Sequence, residues 1–243
     1  MGHEYVGIVE DVGAAVETIE PGQFVVGSFW ASDNTCEICR AGYQSACVNR
    51  VPMGALGAQA ELLRIPLADG TLVATPDLPA DDLIPSLLAA SDVLGTGWFG
   101  AVAAEAGPGK TVAVVGDGAV GLLAVLAARE LGAERIIAMS RHEPRQRLAR
   151  EYGATDIVEE RGDEGVARIK ELTDGLDSDS VIEAVGTQES MMQAIRATRP
   201  GGHVGFVGVG HGVTVPGMEQ TTWPVECKGE RLLRAALSVA TGH

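Results

Sequence analysis

The stretch Thr111-Val112-Ala113-Val114-Val115-Gly116-Asp117-Gly118-Ala119-Val120-Gly121 decides how the rest of the chain is read. Its first five residues are apolar and rich in β-branched side chains, the composition of a strand buried on both faces. The run breaks at Gly116 into a G-x-G-x-x-G pattern and continues into an apolar helical segment. Each glycine has a separate task where a strand turns into a helix over a dinucleotide. Gly116 permits the tight turn, Gly118 lets the backbone approach the pyrophosphate, and Gly121 lets the helix pack closely on the strand. Ala119 and Val120 lie in the first helical turn, whose free N–H groups and positive dipole end face the phosphates. A glycine-rich turn alone often only closes a strand–helix corner. Here the strand before it and the helix after it both match the dinucleotide context.

Downstream, elements alternate. Leu122 to Leu131 is apolar on nearly every face, which predicts a helix buried on both sides. The patterns then predict strand 135–139, helix 144–152, strand 155–158, helix 164–173, strand 179–185, helix 188–198 and strand 203–208. This alternation implies an α/β fold with a doubly wound parallel sheet and right-handed crossovers. From about Thr221 the pattern fails. Thr222 to Gly229 fits no period, and Arg231 to Ala240 makes at most one short helix.

Upstream, the character is β-rich and punctuated by glycine. Gly2 to Gly13 alternates like a strand, a turn follows at Pro21-Gly22, and Phe24-Val25-Val26 reads as a second strand, as in a small barrel. Ala58 to Pro76 is again β-like, ending near the turn-prone Asp69-Gly70. Pro79 to Ala90 reads as a helix with Leu83, Ile84, Leu87 and Leu88 on one side and Asp81-Asp82 near its start. The domain boundary is expected near residues 88 to 92. That gives domains of 1–90 and 91–220, with 221–243 as an unmatched tail.

Between these segments lies Asp33-x2-Cys36-x2-Cys39-x7-Cys47, one carboxylate and three thiolates on a short loop. Four such ligands can close a tetrahedral shell around zinc, and a loop this poor in apolar residues needs such a staple. The alternatives are three small buried thiols, or one disulfide with a spare. An aspartate in a loop is also commonly just a turn residue.

Bulk properties narrow the function classes. The chain has 243 residues, 46% of them hydrophobic and 21% charged, ordinary values for a globular protein. A formal net charge of −15 argues against nucleic-acid or anionic-membrane surfaces and fits a cytoplasmic protein acting on small molecules. No apolar run is long enough for a membrane span, and no secretory signal pattern follows Met1. Without an export signal, the crowded cysteines read as metal ligands before disulfide partners.

The cofactor is read at the end of the second strand, about 20 positions past the glycines, which meets the adenosine ribose. An acid there accepts from the 2′-hydroxyl and repels a 2′-phosphate. Ser140 stands there instead, followed by Arg141, with Arg145 nearby. A hydroxyl and a guanidinium fork suit a phosphate, which favours NADP over NAD. The competing reading is a solvated arginine on a surface loop.

With these residues in place, the chain resembles the zinc-dependent alcohol dehydrogenases of the medium-chain dehydrogenase/reductase superfamily. The likeness is carried by GHEYVGIVEDVG at 2–13, PGQFV at 21–25, CEICRAGYQSAC at 36–47, SDVLGTGWFGA at 91–101, GDGAVG at 116–121 and SRHEPR at 140–145. It implies a Rossmann domain preceded by part of a GroES-like β-barrel catalytic domain. His3 then looks like a histidine ligand of a catalytic zinc, Glu4 like its neighbouring transient ligand, and Asp92 like the last protein ligand. Asp33, Cys36, Cys39 and Cys47 match the structural-zinc loop, with Asp33 where a fourth cysteine usually stands. Zinc would lower the pKa of a bound alcohol, and hydride would pass between the alcohol carbon and the nicotinamide. Family substrates are alcohols, aldehydes and ketones, and family members pair into oligomers through the cofactor domain.

The departures are specific. The family's first catalytic ligand, a cysteine, lies upstream of the GHE pattern, and its C-terminal region has no counterpart in the tail. Gly95 stands where proline is common, and Phe99 where histidine is common. The expectation is therefore a chain cut at both ends, with two of the three protein ligands a catalytic zinc normally has. The alternative to an active dehydrogenase is a truncated, inactive fragment that still binds nucleotide and zinc.

Overall fold

The computed structural model describes residues 2–53 and 57–215, and the backbone of 226–229. It divides into two compact units that part between Gly95 and Thr96.

In the first unit, β1 (Tyr5–Ile8) pairs antiparallel with β2 (Phe24–Gly27). The Pro21-Gly22 turn between them places Gly22 at φ +86, where glycine avoids the Cβ penalty. A second, two-stranded sheet joins β3 (Trp30–Ala31) to β4 (Val51–Pro52), with α1 (Glu37–Arg40) in the connection. Tyr5, Ala31 and Met53 are buried together, with Leu63, Ile65 and Leu72 packed against them.

The segment 58–76 departs from its expected β character. Ala68–Thr71 forms a helical turn, α2, and only Leu72–Ala74 is strand, β5, which closes the order β1-β2-β5. Asp69 and Gly70 lie inside α2. The Asp69 carboxylate accepts from the Glu17 and Thr18 N–H groups and the Thr18 hydroxyl, so it ties two loops together. A Cβ at Gly70 would sit 2.1 Å from the Ser32 carbonyl oxygen, so close approach of backbones requires glycine there.

The helix expected at 79–90 begins as a 3₁₀ turn, Asp81–Leu83, and becomes α3 at Ile84–Ala90. Its expected apolar side is only partly covered, with Ile84 and Leu87 half-buried and Leu83 and Leu88 exposed. The described residues packed on α3, chiefly β1 and β2, cover part of that face. Next comes α4 (Val93–Ala103), which spans the division between the units.

The second unit is the doubly wound domain. Its strands are β6 (Thr111–Val115), β7 (Arg135–Met139), β8 (Asp156–Val158), β9 (Ser178–Glu183), β10 (Thr198–Phe206) and β11 (Glu226–Gly229). All pairings are parallel, in the order β11-β10-β9-β6-β7-β8. Helices α5 (Ala119–Glu130), α6 (Glu143–Tyr152), α7 (Gly162–Leu172) and α8 (Gln188–Arg196) alternate with them. The core runs through Ala113, Val115, Ile137, Met139, Val158, Ile169, Val181, Ile195 and Val204.

Helix α5 is buried as its composition predicts. A Cβ at Gly97 would lie 2.7 Å from the Ala124 nitrogen, so α4 meets α5 backbone to backbone there. Two differences concern the far strands. β10 begins at Thr198 and shifts register before His203, where the Pro200-Gly201 corner hides its first residues from a period-2 reading. The tail is also corrected, because Glu226–Gly229 pairs with His203–Phe206 as an edge strand. Four residues are too few to show a period.

Because the chain runs from β6 out to β8 and returns to β9 on the other side, the sheet reverses between β6 and β9. In open α/β sheets ligands bind in the crevice beyond the carboxyl ends of the strands at such a point.

Candidate cofactor turn and metal centres

The crevice between β6 and β9 is where the glycine pattern lies. Gly116 adopts φ +120, a conformation side chains rarely take, and a Cβ there would press 2.9 Å from Val185 Cγ2. At Gly121 a Cβ would stand 2.1 Å from the Gly116 carbonyl oxygen. Gly118 differs from both. Its backbone is extended at φ −75 and ψ −177, and a Cβ there would meet nothing within 4 Å. Open space at that one position, at the N-cap of α5, leaves room for a ligand to touch the backbone. Ala119 and Val120 form the first turn of α5, with no side-chain cap on its start. These residues fit a pyrophosphate.

Ser140 is fully buried at the end of β7, and Arg141 is exposed beside it. Ser140 Oγ donates to Asp117 Oδ2 at 2.8 Å, and Arg145 Nη1 donates to Asp117 Oδ1 at 3.0 Å. Burial works to raise the Asp117 carboxyl. The Ser140 and Arg145 hydrogen bonds, with the Arg145 and Arg161 charges, outweigh it and hold the group below the usual carboxylate range. Arg161, at the N-cap of α7, donates to the Met139 and Glu160 carbonyls. Burial first, then repulsion from Arg141, pulls its guanidinium below the usual value.

Sequence reasoning passed over Asp117 and Arg161. Asp117 is the variable position after the first glycine, and only its non-glycine, charged character could have drawn attention. Glu183 was missed too. It is fully buried at the end of β9, its Oε1 accepts from the Val185 and Gly186 N–H groups, and its Oε2 has no hydrogen-bond partner. A glutamate ending an otherwise apolar strand was the available signal.

In the first unit, His3 Nε2 lies 2.7 Å from Asp92 Oδ2, and the His3 ring packs on Phe29 at a centroid distance of 5.5 Å. The structure thus brings together two of the residues singled out as ligands. Glu4 is exposed beside His3.

The cysteine loop converges more fully. Asp33, Cys36, Cys39 and Cys47 each offer a ligand atom, all within 4.8 Å of one another, and all three cysteines are free thiols. Among the described residues, no other group of three or more His, Cys, Asp or Glu side chains converges in this way. Cys36 is the N-cap of α1, and its sulfur accepts from the Cys39 N–H. Asp33 Oδ1 accepts from the Thr35 and Cys36 N–H groups and faces the sulfurs of Cys47 at 3.3 Å and Cys39 at 3.6 Å. Its Oδ2 accepts from Asn49 Nδ2. The Thr35 N–H and the Asn49 amide, followed by the Cys47 thiol and the Cys36 N–H, hold this carboxyl far below its ordinary range. The Val48 and Cys39 N–H groups bring Cys36 down to about 7, while burial and the neighbouring sulfurs push Cys39 up to about 12. One carboxylate oxygen and three sulfurs facing a common point are a donor set that suits zinc.

Residues 119–237 match the family model described as zinc-binding dehydrogenase, and residues 1–77 match the alcohol dehydrogenase GroES-like domain. A medium-chain reductase/dehydrogenase of an Acremonium species is 36% identical over 221 residues, covering 87% of this chain and 75% of that protein. The chain belongs to the zinc-dependent alcohol dehydrogenases of the medium-chain dehydrogenase/reductase superfamily. Among solved members, alcohol dehydrogenase TADH from Thermus sp. ATN1 superposes with a TM-score of 0.86 at 33% identity, covering 99% of this chain and 72% of that one. An NADP-dependent isopropanol dehydrogenase from Thermoanaerobacter brockii is 34% identical over 230 residues, covering 90% of this chain and 64% of that enzyme. Relative to curated members of the family, the chain spans from about half to three quarters of their length. Among the described residues no single helix is long and apolar enough to cross a membrane.

Proposed function

We propose that this chain is an oxidoreductase of the zinc-dependent alcohol dehydrogenase type, transferring hydride between a small alcohol or carbonyl and NADP, with NAD as the weaker partner. The observation that carries the reading is the contact of His3 with Asp92, two residues far apart in sequence whose types are those of zinc ligands. The NADP-dependent relatives and the Ser140-Arg141 pair support the cofactor. Zinc, when bound, would polarise the oxygen of the alcohol or carbonyl, and the nicotinamide would carry the hydride.

In this reading each of the chain's own residues has a role. His3 and Asp92 supply two donors toward a catalytic zinc, with Glu4 beside them. Gly116 and Gly121 shape the turn, and Gly118, Ala119 and Val120 present backbone to the pyrophosphate. Ser140, Arg141 and Arg145 meet the adenosine ribose and its 2′-phosphate. Asp33, Cys36, Cys39 and Cys47 hold a zinc that pins the loop. In this reading residues 1–90 carry the structural metal site and His3, residues 91–220 carry Asp92 and the nucleotide, and the protein is cytoplasmic and can pair through its cofactor domain.

The test combines three measurements on the purified chain: metal content, NADPH and NADH titration by fluorescence, and steady-state oxidation of a secondary alcohol. Turnover with zinc bound and tighter NADPH than NADH is the expected result. About one zinc, tight NADPH and no oxidation would overturn it.

A further inference from the structure

We propose that Asp117 sets the balance between NADP and NAD in this chain, by occupying the donors of the 2′-phosphate until that group arrives. This rests on the reading of Ser140 and Arg141 as the 2′-phosphate site. The dinucleotide pattern gives tasks to its three glycines and leaves the position after the first one open to any residue. Here it carries a carboxylate, which reaches across to the end of β7 and takes the Ser140 hydroxyl and the Arg145 guanidinium. A hydroxyl and a guanidinium are the donors a phosphate ester would use. The charges of Arg145, on α6, and of Arg161, at the N-cap of α7, act on this carboxylate, and Arg141 in turn acts on Arg161. One step further out, Gln146 bridges the Ser140 carbonyl to Glu159.

The two cofactors meet this arrangement differently. A 2′-phosphate must take Ser140 and Arg145 from Asp117, and the carboxylate is left beside it as a like charge. An unphosphorylated ribose leaves the carboxylate in place, where it can accept from the 2′-hydroxyl. The acid missing from the end of β7 is thus supplied from the neighbouring turn. Asp117 therefore weakens NADP and supports NAD, and the chain takes both with a modest preference.

The experiment titrates the full chain, Asp117→Asn and Arg141→Gln with NADPH, NADH and 2′,5′-ADP. Asp117→Asn is expected to tighten NADPH and 2′,5′-ADP by about tenfold, the scale of one charge-assisted hydrogen bond, and to weaken NADH severalfold. A change in general charge or in stability would move both dinucleotides in the same direction, NADPH the further, so shifts of opposite sign are the decisive reading. Shifts of the same sign, or an unchanged ratio, in Asp117→Asn, with NADPH weakened in Arg141→Gln, overturn the role of Asp117 and leave the phosphate site standing. An unchanged ratio in both variants overturns the two together. If Asp117→Asn melts early, Asp117→Ser is read for the same shifts.

Discussion

His3 Nε2 and Asp92 Oδ2 lie 2.7 Å apart although 89 positions separate them in sequence. The first sits just before β1 and the second just before α4, so folding of the first unit assembles the pair. His3 is largely exposed and Asp92 mostly covered, at 45% and 18% side-chain exposure. A partly exposed side-chain contact of that kind contributes at most about 1 kcal/mol. His3→Ala and Asp92→Asn should therefore leave the melting temperature within a few degrees while abolishing zinc-dependent alcohol oxidation. Turnover that survives both substitutions would remove these residues from the metal site.

The cysteine loop should lose its metal as pH falls. Zinc takes thiolates, so binding displaces the protons that the free loop carries. Asp33, held far below its usual range, stays ionised and adds nothing to this dependence. Cys36 is a thiolate above about 7 and a thiol below it, whereas Cys39 keeps its proton up to about 12. Zinc affinity, measured against a chromophoric chelator, should therefore fall from pH 8 to 6 and steepen by about one proton below 7. A pH-independent affinity would mean that the sulfurs do not bind the metal.

The three glycines of the turn should separate stability from binding. Gly121→Ala puts a methyl 2.1 Å from a carbonyl oxygen, an overlap that only backbone movement relieves. It should cost about 1–3 kcal/mol in urea unfolding. Gly118→Ala adds a methyl to open space on an extended backbone, so stability should change by less than about 0.5 kcal/mol. Yet it should weaken NADPH at least tenfold, because the methyl stands where the backbone meets the pyrophosphate. Equal NADPH affinity in Gly118→Ala and the parent would place the cofactor elsewhere.

Arg135 links β7 to β8 by two hydrogen bonds to Asp156, at 2.8 and 3.0 Å, and also donates to the Leu172 carbonyl. The Arg135 hydrogen bonds lower the Asp156 carboxyl below its unfolded value, against the opposing effect of burial. A lowered acid stabilises the fold above its unfolded pKa, and this contribution disappears as pH falls through the folded pKa. Asp156→Asn should thus cost about 1 kcal/mol at pH 7, with the deficit closing at acid pH below the ordinary aspartate range. A deficit that grows on acidification would contradict the sign.

Period and spacing made much of this molecule readable from its residues. The buried run 111–115 and the alternation after it place β6 to β9 and α5 to α8 within a few residues. The D-x2-C-x2-C-x7-C spacing marked the only four-ligand convergence among the described residues. What escaped depends on partners distant in sequence. Asp69 looks like a turn former, but Thr18 and Glu17 make it a clamp within a helical turn. Asp117 looks like filler between glycines until Ser140 and Arg145 close on it. β11 is four residues long, and only the open edge of β10 gives it a place in the sheet.

That edge strand bears on how the protein is made. β10 is complete at Phe206, but the segment that covers its outer side is Glu226–Gly229. Parallel neighbours cannot close by a hairpin, so Glu226–Gly229 pairs with β10 only after the residues between have been synthesised. During translation the nascent sheet therefore has a bare row of N–H and C=O groups along β10. Such an edge can recruit a strand from another nascent chain. Pairing of Glu226–Gly229 along this edge thus guards it against such recruitment.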